Sequence, residues 1–245
     1  MILFRRIIAI LACVLAGQVC GVFAQSPSRN ARSYWDAAVA FVVEGNKYLP
    51  GRMETLMEEL DWQGLVVTSE RSIFSLSYGG EDVHKPKEAL LYAEKNGKDI
   101  TEERRRNPAT PPPSREDEGS SATPLDPAYQ IGLELLSMSR QVLDGRSVME
   151  ISFEQPVGKR TYRGAVRVDA ATGLPIDAIY GFKKLPPFVE DMETRIAYRV
   201  IQKPSAEATA GVVVDAVRFR AVATFIIVKK RVRGELRFLD HVKRT

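Results

Sequence analysis

The chain offers little that could do covalent or acid–base chemistry. Its two histidines, His84 and His241, stand far apart in sequence and in no spacing that a zinc site would use. No G-x-S-x-G nucleophile elbow occurs, and neither does a Walker A loop or a dinucleotide fingerprint. Glu58-Glu59 and Glu102-Glu103 are adjacent carboxylates, but on a strand neighbouring side chains point to opposite faces, so neither pair could share a substrate. Cys13 and Cys20 are the only thiols. The expectation is a protein that is not an enzyme and that carries no metal and no cofactor.

What remains is apolar and basic surface, so the question becomes which elements present it. Arg5 and Arg6 precede an apolar run from Ile7 to Gly17, and Val22-Phe23-Ala24 is a small-x-small cleavage signal. Together these describe a secretory signal peptide over residues 1–24, because the run is shorter than the ~20 residues of a membrane span. Cleavage near Ala24 would remove both cysteines. The exported chain would then have no disulfide, no thiolate nucleophile and no cysteine metal site. Lipid modification at Cys20 is the alternative.

The formal net charge of +4 is concentrated towards the C-terminus, where Lys229, Lys230 and Arg231 form the densest group. Export makes an envelope component a better partner than nucleic acid for that group. The plainer reading is a solvated strand face whose cations blunt a sheet edge.

The periodicity is mainly that of strands. Trp35, Ala38, Val39, Phe41 and Val42 make one helical stripe, which Ser33 and Asp36 would open as a capping box and Gly45 would end. Asp61-Trp62-Gln63-Gly64 then reads as a hairpin turn between strands, with a helix over 53–60 as the competitor. Ala89 to Glu94 is a strand running into Asn96-Gly97, a strong turn dipeptide. From about 102 to 127 the chain is charged and proline-rich, which predicts a mobile insertion. Ile131 to Val142 fits a strand better than a helix, because Asp144-Gly145 is a hairpin signal.

Three antiparallel strands follow between Val148 and Phe182. Met149, Ile151 and Phe153 mark the dry face of the first, Val166 and Val168 that of the second, and Ile176, Ala178 and Tyr180 that of the third, with Gly173 in the last turn. After Pro187, Ile196, Tyr198 and Val200 make another strand. Ser205 to Gly211 is a loop, and Val212 to Val228 reads as one long run apolar on both faces. Val232, Leu236 and Phe238 then form the closing strand.

Tyr162-Arg-Gly-Ala-Val-Arg-Val-Asp169 followed by Thr172-Gly-Leu-Pro175, set behind an N-terminal helix and successive hairpins, resembles the periplasmic lipoprotein-carrier and outer-membrane lipoprotein-sorting superfamily, the LolA-like half-barrels. Lys95-Asn-Gly-Lys-Asp-Ile-Thr101 is similar to a phrase of uncharacterised exported relatives in that group, and the resemblance spans most of residues 33–243. It implies a mainly β, α+β fold: a curved antiparallel half-barrel sheet with the helix packed on its concave side, formed as a single domain over 25–245. It also implies a periplasmic, non-catalytic carrier whose concave face takes the acyl chain of a lipoprotein or lipid. The carriers' buried arginine has no motif match here at Arg163 or Arg167, and the 102–127 insertion departs from their compact form.

On that reading the lining residues are Val166, Val168, Ile176, Tyr180, Phe219, Phe225 and Ile227, unless they are plain core. The alternative is an envelope scaffold that uses the sheet edge and Lys229, Lys230 and Arg231 to hold a protein partner.

Overall fold

The computed structural model describes residues 30–79, 86–107, 123–202, 209–225 and 228–243. The expected signal peptide, both cysteines, His84, Ile227, most of the 102–127 insertion and much of the 205–211 loop lie outside the described residues.

Helix α1 spans Ala31–Gly45, so it begins ahead of Ser33. Ser33 lies in its first turn, and Asp36 pairs with Arg32 (2.9 Å) instead of completing a capping box. Tyr34, Trp35, Ala38 and Val42 form its buried stripe, at the i, i+3/i+4 spacing of a single helical face. The strands follow as β1 (Tyr48–Leu60), β2 (Val66–Ser77), β3 (Lys87–Lys95) and β4 (Lys98–Asp99). A short helix α2 (Thr101–Arg106) separates these from β5 (Glu134–Leu143), β6 (Arg146–Val157), β7 (Arg160–Asp169), β8 (Pro175–Phe182), β9 (Val189–Gln202), β10 (Thr209–Phe225) and β11 (Val228–Lys243).

The turn chemistry works as the residue types dictate. Asn96 and Gly97 have φ of 50° and 79°, and Asp144 and Gly145 have 49° and 76°; paired positive φ values match the right-handed twist of hairpin strands. At the first hairpin, Asp61 Oδ1 accepts from the N–H groups of Gln63 and Leu65. The segment 53–60 is therefore strand, with Met53, Thr55 and Met57 on one face and Glu54, Leu56 and Glu58 on the other.

All strands join one open, curled antiparallel sheet, in the order β4-β3-β2-β1-β11-β10-β9-β8-β7-β6-β5. The fold is thus mainly β with few helices. Adjacent strands are sequence neighbours except at one place, where β1 pairs with β11, from Tyr48 opposite Lys243 to Leu60 opposite Arg231. This corrects the expectation of a closing or edge strand at the C-terminus: β11 lies inside the sheet, because β1 and β10 hydrogen-bond to its two sides. The long run from Val212 to Val228 is also two strands rather than one, since Phe225 pairs with Val228.

The polar insertion is narrower than its composition implies. Its first residues form α2, which puts Glu102 and Glu103 on a helix rather than a strand. Its far end enters the core, where Leu125 is fully buried. Gln155 donates to the carbonyls of Pro124 and Tyr129 (3.1 and 2.8 Å). Gln130 accepts from the Trp35 indole N–H (2.8 Å) and donates to Pro124 and Asp126. These bonds satisfy polar groups that would otherwise be buried unpaired.

Helix α1 lies across one face of the sheet. Tyr34 donates to the Ala170 carbonyl (2.8 Å) beyond the end of β7, and Trp35 packs on Phe153 of β6 at a ring separation of 5.3 Å. At its C-terminus the backbone of Gly45 meets that of Gly211 and Val212 on β10. A Cβ on Gly45 would come within 1.7 Å of the Val212 carbonyl oxygen.

Candidate functional site

Cross-strand partners share a face of the sheet, so the pairing register defines continuous rows across it. One row on the helix side runs Met138, Ile151, Val166, Ala178, Ile196, Val217, Leu236, Thr55, Ser72 and Ala93 from β5 to β3. A neighbouring row runs Leu135, Phe153, Gly164, Tyr180, Thr194, Phe219, Gly234 and Met57. Burial changes along these rows. Ile151, Val166 and Ala178 are fully buried and Ile196 is nearly so, whereas Val217, Leu236 and Thr55 are only half-buried.

The change coincides with the end of α1. Val166, Val168 and Tyr180 belong to a single core cluster with Trp35, Ala38, Val42 and Leu125. The hollow expected at these three residues is therefore filled by the chain's own helix and by the Leu125 turn. Ile176 is half-buried and stands outside that cluster.

From β11 to β2 the same face carries no helix among the described residues, and at its β3 end Ala93 is buried again beside Thr101 of α2. Phe219 lies over Gly234 together with the Met57 sulfur, each so close that a Cβ on Gly234 would clash with both. Met53 sits between Phe74 and Phe238 on the neighbouring strands, all three half-buried, and Met57 is 42% exposed. Of the expected lining residues, Phe219 alone falls on this open part with a described side chain. Phe225 is described only through its backbone pairing. The residues missing from the expected lining are Met53 and Met57, in a stretch open to a helical reading, and Phe74 on the strand after it.

The opposite face is charged and internally neutralised. Arg167 makes a two-pronged contact with Asp177, and Arg195 approaches the same carboxylate at 3.8 Å. The hydrogen bond to Asp177, which outweighs the burial that opposes charge, raises the Arg167 pKa above its ordinary value. Glu235 takes hydrogen bonds from both Arg218 and Arg237. Burial pushes its carboxyl up, but these two arginines outweigh it and hold it below the usual carboxylate range. Arg233 pairs with Glu58, and β1, β9, β10 and β11 line a groove of about 420 Å³.

Lys229 pairs with Glu190, and Lys230 with Glu59 at 3.4 Å. Arg231 lies opposite Leu60 and Val222 inside the sheet. The basic group is therefore not at an edge, and two of its three cations are already engaged by carboxylates.

Burial pushes the phenols of Tyr180 and Tyr198 far up, so both stay protonated. His241 meets Arg199 at 3.0 Å, and burial, reinforced by that arginine, lowers its pKa. Among the described residues no group of acidic, histidine or cysteine side chains could hold a metal ion, and no helix is long and apolar enough to cross a membrane.

The class these features define is an open antiparallel sheet half covered by one helix. No protein-family profile matches the chain, and no curated protein matches its sequence. Among solved structures, a DUF1329 family protein from Desulfovibrio piger aligns over 85% of this chain and 92% of its own, at 12% identity and a TM-score of 0.38. MucB in complex with MucA(peri) aligns over 88% of this chain and 100% of its own, at 8% identity and a TM-score of 0.23. The MucA/MucB complex of Pseudomonas aeruginosa aligns over 89% and 100%, at 10% identity and a TM-score of 0.21. Overlap this loose decides nothing about what this chain binds.

Proposed function

We propose that the chain is an exported, non-catalytic binding protein that receives an apolar ligand, the acyl chain of a lipidated protein or a lipid, on the uncovered half of the helix-side face. The observation that supports this reading is the dip in burial along one continuous row of the sheet, from Val166 and Ala178 under α1, past Val217 at the margin of that core, to Leu236 and Thr55, before Ala93 is buried again beside α2. Met53, Met57, Phe74 and Phe219 border that row. Methionine and aromatic side chains suit an irregular apolar guest, because thioethers repack easily and rings supply large contact area. Each buried methylene of a guest chain contributes ~0.8 kcal/mol before ordering costs, so the patch has no need of catalytic groups. Periplasmic residence is part of the same reading and rests on residues 1–24.

The scaffold alternative keeps an exposed basic strand but not an edge, because β11 is internal while Lys229 and Lys230, though ion-paired, stay exposed. Delipidated protein melted against a panel of fatty acids and lysophospholipids tests the binding reading. The expected result is a rise in Tm that saturates with ligand, and that Phe219→Asp or Met57→Asp removes without lowering the ligand-free Tm by a comparable amount. A flat melting curve across the panel rejects it.

A further inference from the structure

In an antiparallel sheet alternate connections fall at the same end. The β1–β2 hairpin, the β6–β7 turn and the β8–β9 loop therefore share one end, together with the start of β11. Among the described residues the exposed aromatic side chains are Trp62, 75% exposed, and Phe188, 65% exposed, and both stand here. Leu65 and Val67 are exposed beside Trp62. Because β1 ends opposite Arg231, Lys229 and Lys230 flank the hairpin tip. Thr224, which pairs with Lys229, donates its N–H to the Phe188 carbonyl (2.8 Å) and so brings Phe188 to the same level.

The β1–β2 tip closes its polar backbone on itself. Asp61 Oδ1 takes the N–H groups of Gln63 and Leu65 (2.9 and 2.8 Å). The Asp61 N–H donates to the Leu65 carbonyl (2.9 Å) and the Gly64 N–H to the Asp61 carbonyl (3.1 Å). Four amide groups around Trp62 are thereby satisfied within the turn, which removes most of the backbone penalty for leaving water. The surroundings are basic. Lys183, Lys229 and Lys230 are exposed but held by Glu154, Glu190 and Glu59. Lys159 in the β6–β7 turn and Lys184 after β8 are exposed without an ion pair among the described residues.

We propose that this end of the sheet docks on the surface of an anionic lipid bilayer, with Trp62 and Leu65 entering the interface and Lys159 and Lys184 meeting the headgroups. The occupant follows from three features found together. An indole is most stable at the level of the headgroups. Lysines beside it are drawn to anionic lipid. A turn whose amides are already bonded can enter that layer without leaving donors unpaired. The proposal does not rest on the apolar-ligand reading, because it concerns the hairpin tips and not the face that carries Met53 and Met57.

Co-sedimentation with vesicles of phosphatidylglycerol, and separately of phosphatidylcholine, provides the test. The purified chain without residues 1–24 holds every described residue and keeps their apolar run from contributing. The expected result is pelleting with phosphatidylglycerol that weakens as ionic strength rises. The chain has two tryptophans and Trp35 is fully buried, so a blue shift of emission on binding, quenched by brominated lipid, reports Trp62. Trp62→Ser and Leu65→Ser each weaken partition roughly tenfold and leave the Tm unchanged, since both side chains are exposed. Lys159→Glu combined with Lys184→Glu weakens binding to phosphatidylglycerol by roughly tenfold or more and leaves any binding to phosphatidylcholine as it was. No pelleting at low ionic strength, or pelleting indifferent to both tip substitutions, overturns the proposal and leaves a protein as the partner of this end. Met57→Asp should retain vesicle binding, and Trp62→Ser should retain the fatty-acid shift in Tm, so the two readings fail separately.

Discussion

Glycines at close backbone contacts separate structural from permissive positions at the scale of single residues. Gly45→Ala drives a methyl group into the Val212 carbonyl and can be relieved only by moving α1 off β10; the expected cost is about 3 kcal/mol in denaturant unfolding. Gly79→Ala, with nothing within 4 Å of the new Cβ, serves as the neutral control. Asp177→Asn weakens the contact with the largely buried Arg167 guanidinium and should cost about 2 kcal/mol by the same measurement. His241 has a pKa lowered from its ordinary 6.5, so the unfolded chain takes up the proton first as pH falls. Stability contributed by the neutral ring is full above pH 6.5 and is lost as pH drops towards the lowered folded value. His241→Gln should flatten that part of a Tm-against-pH profile.

Among the elements, the segment from Pro124 to Gln130 does more than its polar surroundings imply. Leu125 is fully buried against α1 and the sheet, so Leu125→Ala should cost ~2–4 kcal/mol through the cavity it leaves. It should also raise amide exchange in α1, because Trp35 bonds to Gln130 in the same cluster. Composition hid this leucine: one apolar residue in a run of prolines and charges carries no periodicity. The hairpins were readable because Asn96-Gly97 and Asp144-Gly145 supply the φ values that such turns demand. The reversal between Phe225 and Val228 was not, since Ile226 and Ile227 are strand formers and no turn residue marks it. Alternation also identified which side chains share a face, but it says nothing about what covers that face. Val166, Val168 and Tyr180 lie on the helix side, and α1 and the Leu125 turn bury them there.

For the whole molecule, strand order was the part least legible in the sequence, because pairing β1 with β11 depends on contacts between the two ends of the chain. Since β11 is flanked on both sides, deleting residues 228–245 would leave β1 and β10 each with one unpaired side. Such a truncation should abolish the cooperative thermal transition seen by circular dichroism, whereas loss of an edge strand of similar length would be tolerated. The same arrangement orders events on the ribosome. The β1–β3 meander and the β5–β10 meander can each zip locally as they emerge, yet they stay two unjoined ribbons until the last sixteen-residue strand is released and slots between them. A nascent chain stalled before that point exposes two long unsatisfied margins at once. Its vulnerability to proteases and to mispairing therefore lasts until β11 emerges.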